Sequence, residues 1–130
     1  MKKWVVRTNE APKPSGRYSQ AIKVGSFVFT AAVAGVDPRS GELVSGGIGA
    51  QVRQTLENIK AILEEAGTSL DNVIKVTAYL RDIGNFGAYD EVYSEYFDAD
   101  EPPARTTVEV GGFPGDIAVV IDAIAHIPER

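Results

Sequence analysis

Ala118-Val119-Val120-Ile121-Asp122-Ala123-Ile124-Ala125-His126-Ile127 is the stretch on which the fold turns. A strand with one solvated face alternates apolar and polar side chains, whereas a strand covered on both faces is almost continuously apolar. Here only Asp122 and His126 are strongly polar. The segment is therefore expected to be a strand with both faces covered.

Neighbouring segments supply the rest of a sheet. Ile74, Val76, Ala78 and Leu80 alternate with Lys75, Thr77, Tyr79 and Arg81, the period of a strand with one face buried more deeply. Trp4 to Val6, Ala21 to Val24, Ser26 to Val33 and Ala104 to Val110 read as further strands, punctuated by Gly25, the Pro/Ser/Gly-rich stretch Ala11 to Gly16, the turn Val36 to Leu43 and the turn Gly111 to Asp116. Between them, Val52, Leu56, Ile59, Leu63 and Ala66 recur at helical spacing from Gly49 onward, with Gly67 placed for a left-handed C-cap. Phe86, Tyr89, Val92, Tyr93, Tyr96 and Phe97 form a second helical stripe behind Asn85, a candidate N-cap, and Glu101-Pro102-Pro103 ends it.

The expected architecture is a single α+β domain over residues 1–130, a sheet of about six strands with two helices on one face. Two helices cover only that face, and the sequence provides no element for the other. Another copy of the chain is the expected cover.

Composition narrows the chemistry. A net charge of -5 argues against the broad basic surface that binds phosphate backbones, although Lys2, Lys3, Arg7, Lys13 and Arg17 make the first segment locally basic. With no cysteine there is no disulfide, thiolate nucleophile or Cys-bearing metal site, and His126 alone supplies neither a zinc cluster nor a histidine pair. No metal or organic cofactor is expected. The segment MKKWVVRTNEAP lacks the apolar core of a signal peptide, and no apolar run is long enough for a membrane helix, so a cytoplasmic location is the simplest expectation.

Few motifs carry chemistry by themselves. Ser45-Gly46-Gly47-Ile48-Gly49 precedes a helix but matches no nucleotide-binding pattern, which favours a plain helix entry. Gly16-Arg17-Tyr18-Ser19-Gln20 places a phenol, a hydroxyl and an amide at a loop end, where they either face a ligand or cap a turn. Arg105 follows Pro102-Pro103-Ala104, a rigid approach to a strand, where a guanidinium can grip a carboxylate with two donors or make a surface ion pair.

Several segments, in order along nearly the whole chain, resemble the YjgF/RidA family of enamine/imine deaminases, long labelled L-PSP endoribonucleases. They are Gly16-Arg17-Tyr18-Ser19-Gln20-Ala21, Asp37-Pro38 with Gly41-Glu42, Gln54-Thr55-Leu56-Glu57-Asn58-Ile59, Lys75-Val76-Thr77-Ala78-Tyr79-Leu80, Pro103-Ala104-Arg105-Thr106-Thr107-Val108-Glu109-Val110 and Asp122-Ala123-Ile124-Ala125. The resemblance implies a chorismate-mutase-like fold assembled as a homotrimer, with ligand clefts between subunits. It implies that Arg105 binds the carboxylate of a 2-imino or 2-enamino acid and that Tyr18 lines the same cleft, these two being the candidate catalytic residues. Ala31, Thr107 and Val120 are the further candidates for contact with the substrate.

The chain departs from the family pattern in three places. Ala31-Ala32-Val33 replaces its Ser-Gly-Gln, Arg17 replaces a proline, and Val120 stands where deaminases carry a glutamate that holds the attacking water. Valine neither accepts a proton nor orients water. Asp122, two residues along the strand, lies roughly 6–7 Å away, too far to substitute in an unchanged pose. Three readings follow: a deaminase of 2-imino and 2-enamino acids, a non-catalytic trimeric binder of small carboxylic acids, and, least favoured by charge and histidine content, an endoribonuclease.

Overall fold

The computed structural model describes residues 1–129. Its sheet runs β1 (Lys3–Val6), β2 (Ala21–Val24), β3 (Phe27–Thr30), β7 (Val119–His126), β5 (Val73–Leu80), β6 (Ala104–Glu109), and the two-residue β4 (Val33–Ala34) also pairs with β7. Only β5 and β6 pair in parallel, so the sheet is mixed. The apolar stretch quoted first lies at its middle. Val119, Ile121, Ala123 and Ala125 of β7 are buried, while Val120, Asp122, Ile124 and His126 on the other face are half-buried.

The buried face packs under α1 (Gly47–Glu65). Val52, Leu56, Ile59 and Leu63 form the expected stripe, joined by Ile62 and Thr55, and each large aliphatic side chain withdrawn in this way is worth about 1.5–3 kcal/mol. Gly67 has φ +94°, and the amides of Gly67 and Thr68 donate to the carbonyls of Glu64 and Leu63, which closes the helix in the manner the glycine foretold. At the other end of the fold Gly35 is required by contact. A Cβ there would meet the Gln51 carbonyl oxygen at 2.7 Å, so α1 lies directly against the chain after β4. The buried Asn58 donates from the same helix to the carbonyls of Ala34 and Val36.

The second helix, α2 (Phe86–Tyr93), is shorter than its aromatic stripe suggested. After Tyr93 the amides of Glu95 and Tyr96 donate to residues three back, so Tyr96 and Phe97 continue in tight turns while still packing on the core. Asn85 does not cap α2 with its side chain. It ends a one-turn 3₁₀ helix, and Asp82 accepts from the Gly84 amide instead. The strand expected from Ser26 to Val33 also divides. Thr30 Oγ1 accepts from the Ala123 amide in place of a backbone carbonyl, and the chain leaves the ladder at Ala31 and Ala32 before re-pairing as β4.

The face opposite the helices is open and apolar along one line. Val5, Ile22, Phe29 and Ile124 stand side by side in register across four neighbouring strands, and Val5 and Phe29 are exposed. Among the described residues no helix is long and apolar enough to cross a membrane.

Candidate functional site

Tyr18, Ala31 and Val120 line one open cleft of about 860 Å³, walled by Phe113, Pro114 and Ile117. Each wall is held by a buried or clamped polar group. Gln20 is buried, accepts from the Thr8 amide and donates to the carbonyls of Thr8 and Pro12, so it ties the loop before Tyr18 to β1's exit. Its amide thus belongs to the fold, and the ligand-facing reading of this segment narrows to Tyr18, which is half exposed and whose hydroxyl accepts from the Ser15 amide at 3.2 Å. On the far wall Arg81 donates to the carbonyls of Phe113, Gly115 and Ile117, which fixes the turn between β6 and β7.

Arg105 and Thr107 lie elsewhere. They pair in register with Val76 and Ala78, both buried beneath the helices, so their side chains point to the helix face at the sheet's β6 edge. Val120 pairs with Tyr79 on the opposite face, where the Tyr79 hydroxyl donates to Asp122 at 2.8 Å. Two strand spacings of roughly 4.8 Å and the thickness of the sheet separate the two groups within one chain.

The Arg105 guanidinium rests on a shelf of aromatic rings from α2, 4.6 Å from the centre of Tyr93, 5.4 Å from Phe86 and 5.6 Å from Tyr89. Its Nη1 donates to Asp90 Oδ1 at 2.6 Å. Apart from an approach to the Tyr89 hydroxyl, its remaining N–H groups have no hydrogen-bond partner among the described residues, which leaves donors for a carboxylate. Partial burial works against its charge, but the Asp90 hydrogen bond and the nearby phenols outweigh this and raise its pKa. A half-exposed ion pair contributes at most about 1 kcal/mol and each ring contact about 0.5–2 kcal/mol, so the rings position Arg105 more firmly than Asp90 does.

Around it the hydroxyls of Tyr89, Tyr93 and Thr107 are buried without hydrogen-bond partners. Burial raises the pKa of Tyr89 and pushes that of Tyr93 up to about 12. Such a cluster of unsatisfied polar groups is unusual in a plain core and is more often met beside a functional group.

Asp90 is the residue that sequence reasoning passed over. Its signal was present: with Phe86, Tyr89 and Tyr93 it falls at helical spacing on one face of α2, a carboxylate inside an aromatic stripe. The other candidates fall away from this chemistry. The glycine-rich segment is a helix entry, with Gly46 and Gly47 at positive φ. His126 accepts a hydrogen bond from Thr68 Oγ1 through its backbone carbonyl and pairs with Phe27 in the sheet. A larger groove of about 1010 Å³ along α1 is lined by Glu57, Glu64, Glu65 and Asp37 and contains none of the candidate residues. No group of three or more His, Asp or Glu among the described residues is arranged to hold a metal ion.

Comparison with known proteins adds to this geometry. Residues 8–127 match the protein-family model described as Endoribonuclease L-PSP. A RutC family protein of Pyrococcus abyssi is 53% identical over 126 residues, covering 97% of this chain and 98% of that one. The 2-iminobutanoate/2-iminopropanoate deaminase of Rattus norvegicus is 40% identical over 121 residues, covering 93% of this chain and 88% of its own. Among solved structures, RidA from an Antarctic Psychrobacter superposes with a TM-score of 0.91 at 40% identity, over 95% of this chain and 99% of that one.

Proposed function

The chain belongs to the YjgF/RidA family, whose model is described as Endoribonuclease L-PSP, and from that premise we propose that it hydrolyses reactive 2-imino and 2-enamino acids to 2-oxo acids and ammonia. The observation that carries the reading is Arg105: a guanidinium preset on three rings with unused donors. Planar two-donor recognition is what a carboxylate requires, and prior ordering of the side chain removes the entropy that binding would otherwise cost. The reaction named for the rat relative has such a carboxylate beside its imine.

In this reading Arg105 anchors the carboxylate, Thr107 stands beside it, and Tyr18, Ala31 and Val120 shape the cleft that receives the reacting carbon. Arg105 and the cleft residues face opposite sides of one sheet, so a single site containing both takes Arg105 from one copy and the cleft from another, in a homotrimer. The apolar line Val5, Ile22, Phe29 and Ile124 supports such assembly, because an uncovered row of this kind gains about 25 cal/mol for each Å² of apolar surface it buries. With valine at position 120, water is held by backbone groups and the Tyr18 hydroxyl rather than by a carboxylate. The reaction needs no cofactor.

Val120 also supports a second reading, a trimeric binder that holds a small carboxylic acid without turning it over. Ammonia release from an imine generated in situ by an amino-acid oxidase, run beside calorimetry with a 2-oxo acid, separates the two. Acceleration of release supports the deaminase; binding without acceleration selects the binder; cleavage of RNA with neither would favour the endoribonuclease reading against its net charge of -5.

A further inference from the structure

Asp90 has no task in the reading above, although it touches the residue on which that reading rests. We propose that Asp90 makes the Arg105 site selective for zwitterions, ligands that carry a cationic nitrogen on the carbon next to the carboxylate, over simple 2-oxo acid anions. The inference depends on Arg105 as the carboxylate anchor and specifies which charge form of the substrate that anchor admits.

The geometry is that of a dipolar receptor. Nη1 of Arg105 is bound to Oδ1 of Asp90, while Oδ2 and, apart from an approach to the Tyr89 hydroxyl, the other guanidinium donors have no hydrogen-bond partner among the described residues. Both side chains are accessible, at 27% and 40% exposure. The α2 rings crowd the guanidinium at 4.6–5.6 Å from its central carbon, so a carboxylate approaches the donors left free, which belong to the same guanidinium that Asp90 holds through Nη1. A bare anion there meets a like charge at close range. A ligand whose adjacent carbon bears a protonated imine or an ammonium group offers that same carboxylate an N–H to accept, and the two charges of the ligand meet the two charges of the protein in complementary order.

The same arrangement acts on the product. Hydrolysis adds water to the protonated imine, breaks the C–N bond and releases ammonium, R–C(=NH₂⁺)–COO⁻ + H₂O → R–CO–COO⁻ + NH₄⁺. The positive charge leaves with the nitrogen, so the remaining 2-oxo acid is a net anion beside Asp90. Asp90 then competes with it for Arg105 and favours its departure. Selectivity for substrate and release of product thus come from one residue.

The test uses stable ligands, so it does not depend on turnover. Binding of 2-aminobutanoate and of 2-oxobutanoate is measured by calorimetry on the parent protein, Asp90→Asn, Asp90→Glu and Arg105→Ala. The parent should prefer the amino acid. Asp90→Asn should shift the affinity ratio toward the 2-oxo acid by about tenfold, equivalent to about 1.4 kcal/mol, and Asp90→Glu should keep the parent's preference. If Asp90 only steadied Arg105, Asn would weaken both ligands alike. An unmoved ratio in Asp90→Asn, with binding still lost in Arg105→Ala, overturns the inference and leaves the anchor standing. Undiminished binding by Arg105→Ala, or none by the parent, overturns both.

Discussion

Arg105 and Val120 stand on opposite faces of one sheet, two strands apart: Arg105 beneath α2 in register with Val76, Val120 on the open face in register with Tyr79. No rotamer change brings their side chains to one small ligand within a chain. Whatever joins the anchor to the cleft therefore joins two chains.

The anchor itself is tested by truncation. Arg105→Ala should weaken binding of a small 2-imino-like or 2-oxo carboxylate by roughly 1.5–3 kcal/mol, the worth of a hydrogen bond to a charged group. Lysine should rescue only in part, since a point charge lacks the planar fork. Thermal stability should fall by about 1–3 kcal/mol, because the ring contacts are lost together with a partly exposed ion pair. Equal affinity in Arg105→Ala, read by calorimetry, would remove the carboxylate site.

Assembly is tested on the open face. Sedimentation equilibrium of the parent should give a mass near three chains. Phe29→Glu adds a charge to the row formed with Ile22 and Ile124, away from the helix-covered core, so it should yield smaller species with an unchanged far-ultraviolet spectrum. A folded monomeric parent, or a Phe29→Glu protein as fully assembled as the parent, would contradict this.

How much of this was legible follows from the scale of the signals. The apolar stretch of β7 and the α1 stripe with Gly67 were readable because they repeat a period over many residues. The division of the Ser26 to Val33 segment at Ala31 was not, since it depends on Thr30 reaching an amide 93 positions away. The α2 boundary shifted because Tyr96 and Phe97 keep their packing without keeping the helix. At the site, Arg105 and Tyr18 were singled out by their own surroundings in the sequence and, with Thr107, Ala31 and Val120, given roles by family resemblance, but their division between two sheet faces requires strand register. Asp90 was missed because a carboxylate on a helix ordinarily reads as solvent-facing.

Alkaline stability reports on the aromatic shelf. A free phenol ionises near 10, and burial pushes Tyr93 up to about 12 in the folded chain. Below the lower value both states are protonated and stability is complete. Between the two, the unfolded chain gives up a proton that the folded chain keeps, so stability falls as pH rises. Denaturation followed from pH 9 to 12 should show this decline, and Tyr93→Phe should lessen it, with Tyr96, also pushed up to about 12, keeping its own share, at little cost near neutral pH because the hydroxyl removed has no partner. An unchanged alkaline slope in Tyr93→Phe would contradict the assignment.

Val120→Glu tests the chemistry in the gaining direction. A carboxylate introduced in the cleft beside Tyr18 and Ala31 can accept a proton from water, so imine hydrolysis should rise over the parent's rate. If ammonia release is unchanged while the variant still binds a 2-oxo acid, the attacking water is not held at position 120.

The shared site is tested most directly by mixing two defective chains. Arg105→Ala lacks the anchor, and Val120→Trp fills the cleft; each alone should bind 2-oxobutanoate much more weakly than the parent in calorimetry. When the two are unfolded together and refolded as an equal mixture, each half-site is intact in half of the chains, so about a quarter of the intersubunit sites should bind again. A mixture that stays silent, while sedimentation shows that it has assembled, would contradict a site shared between copies.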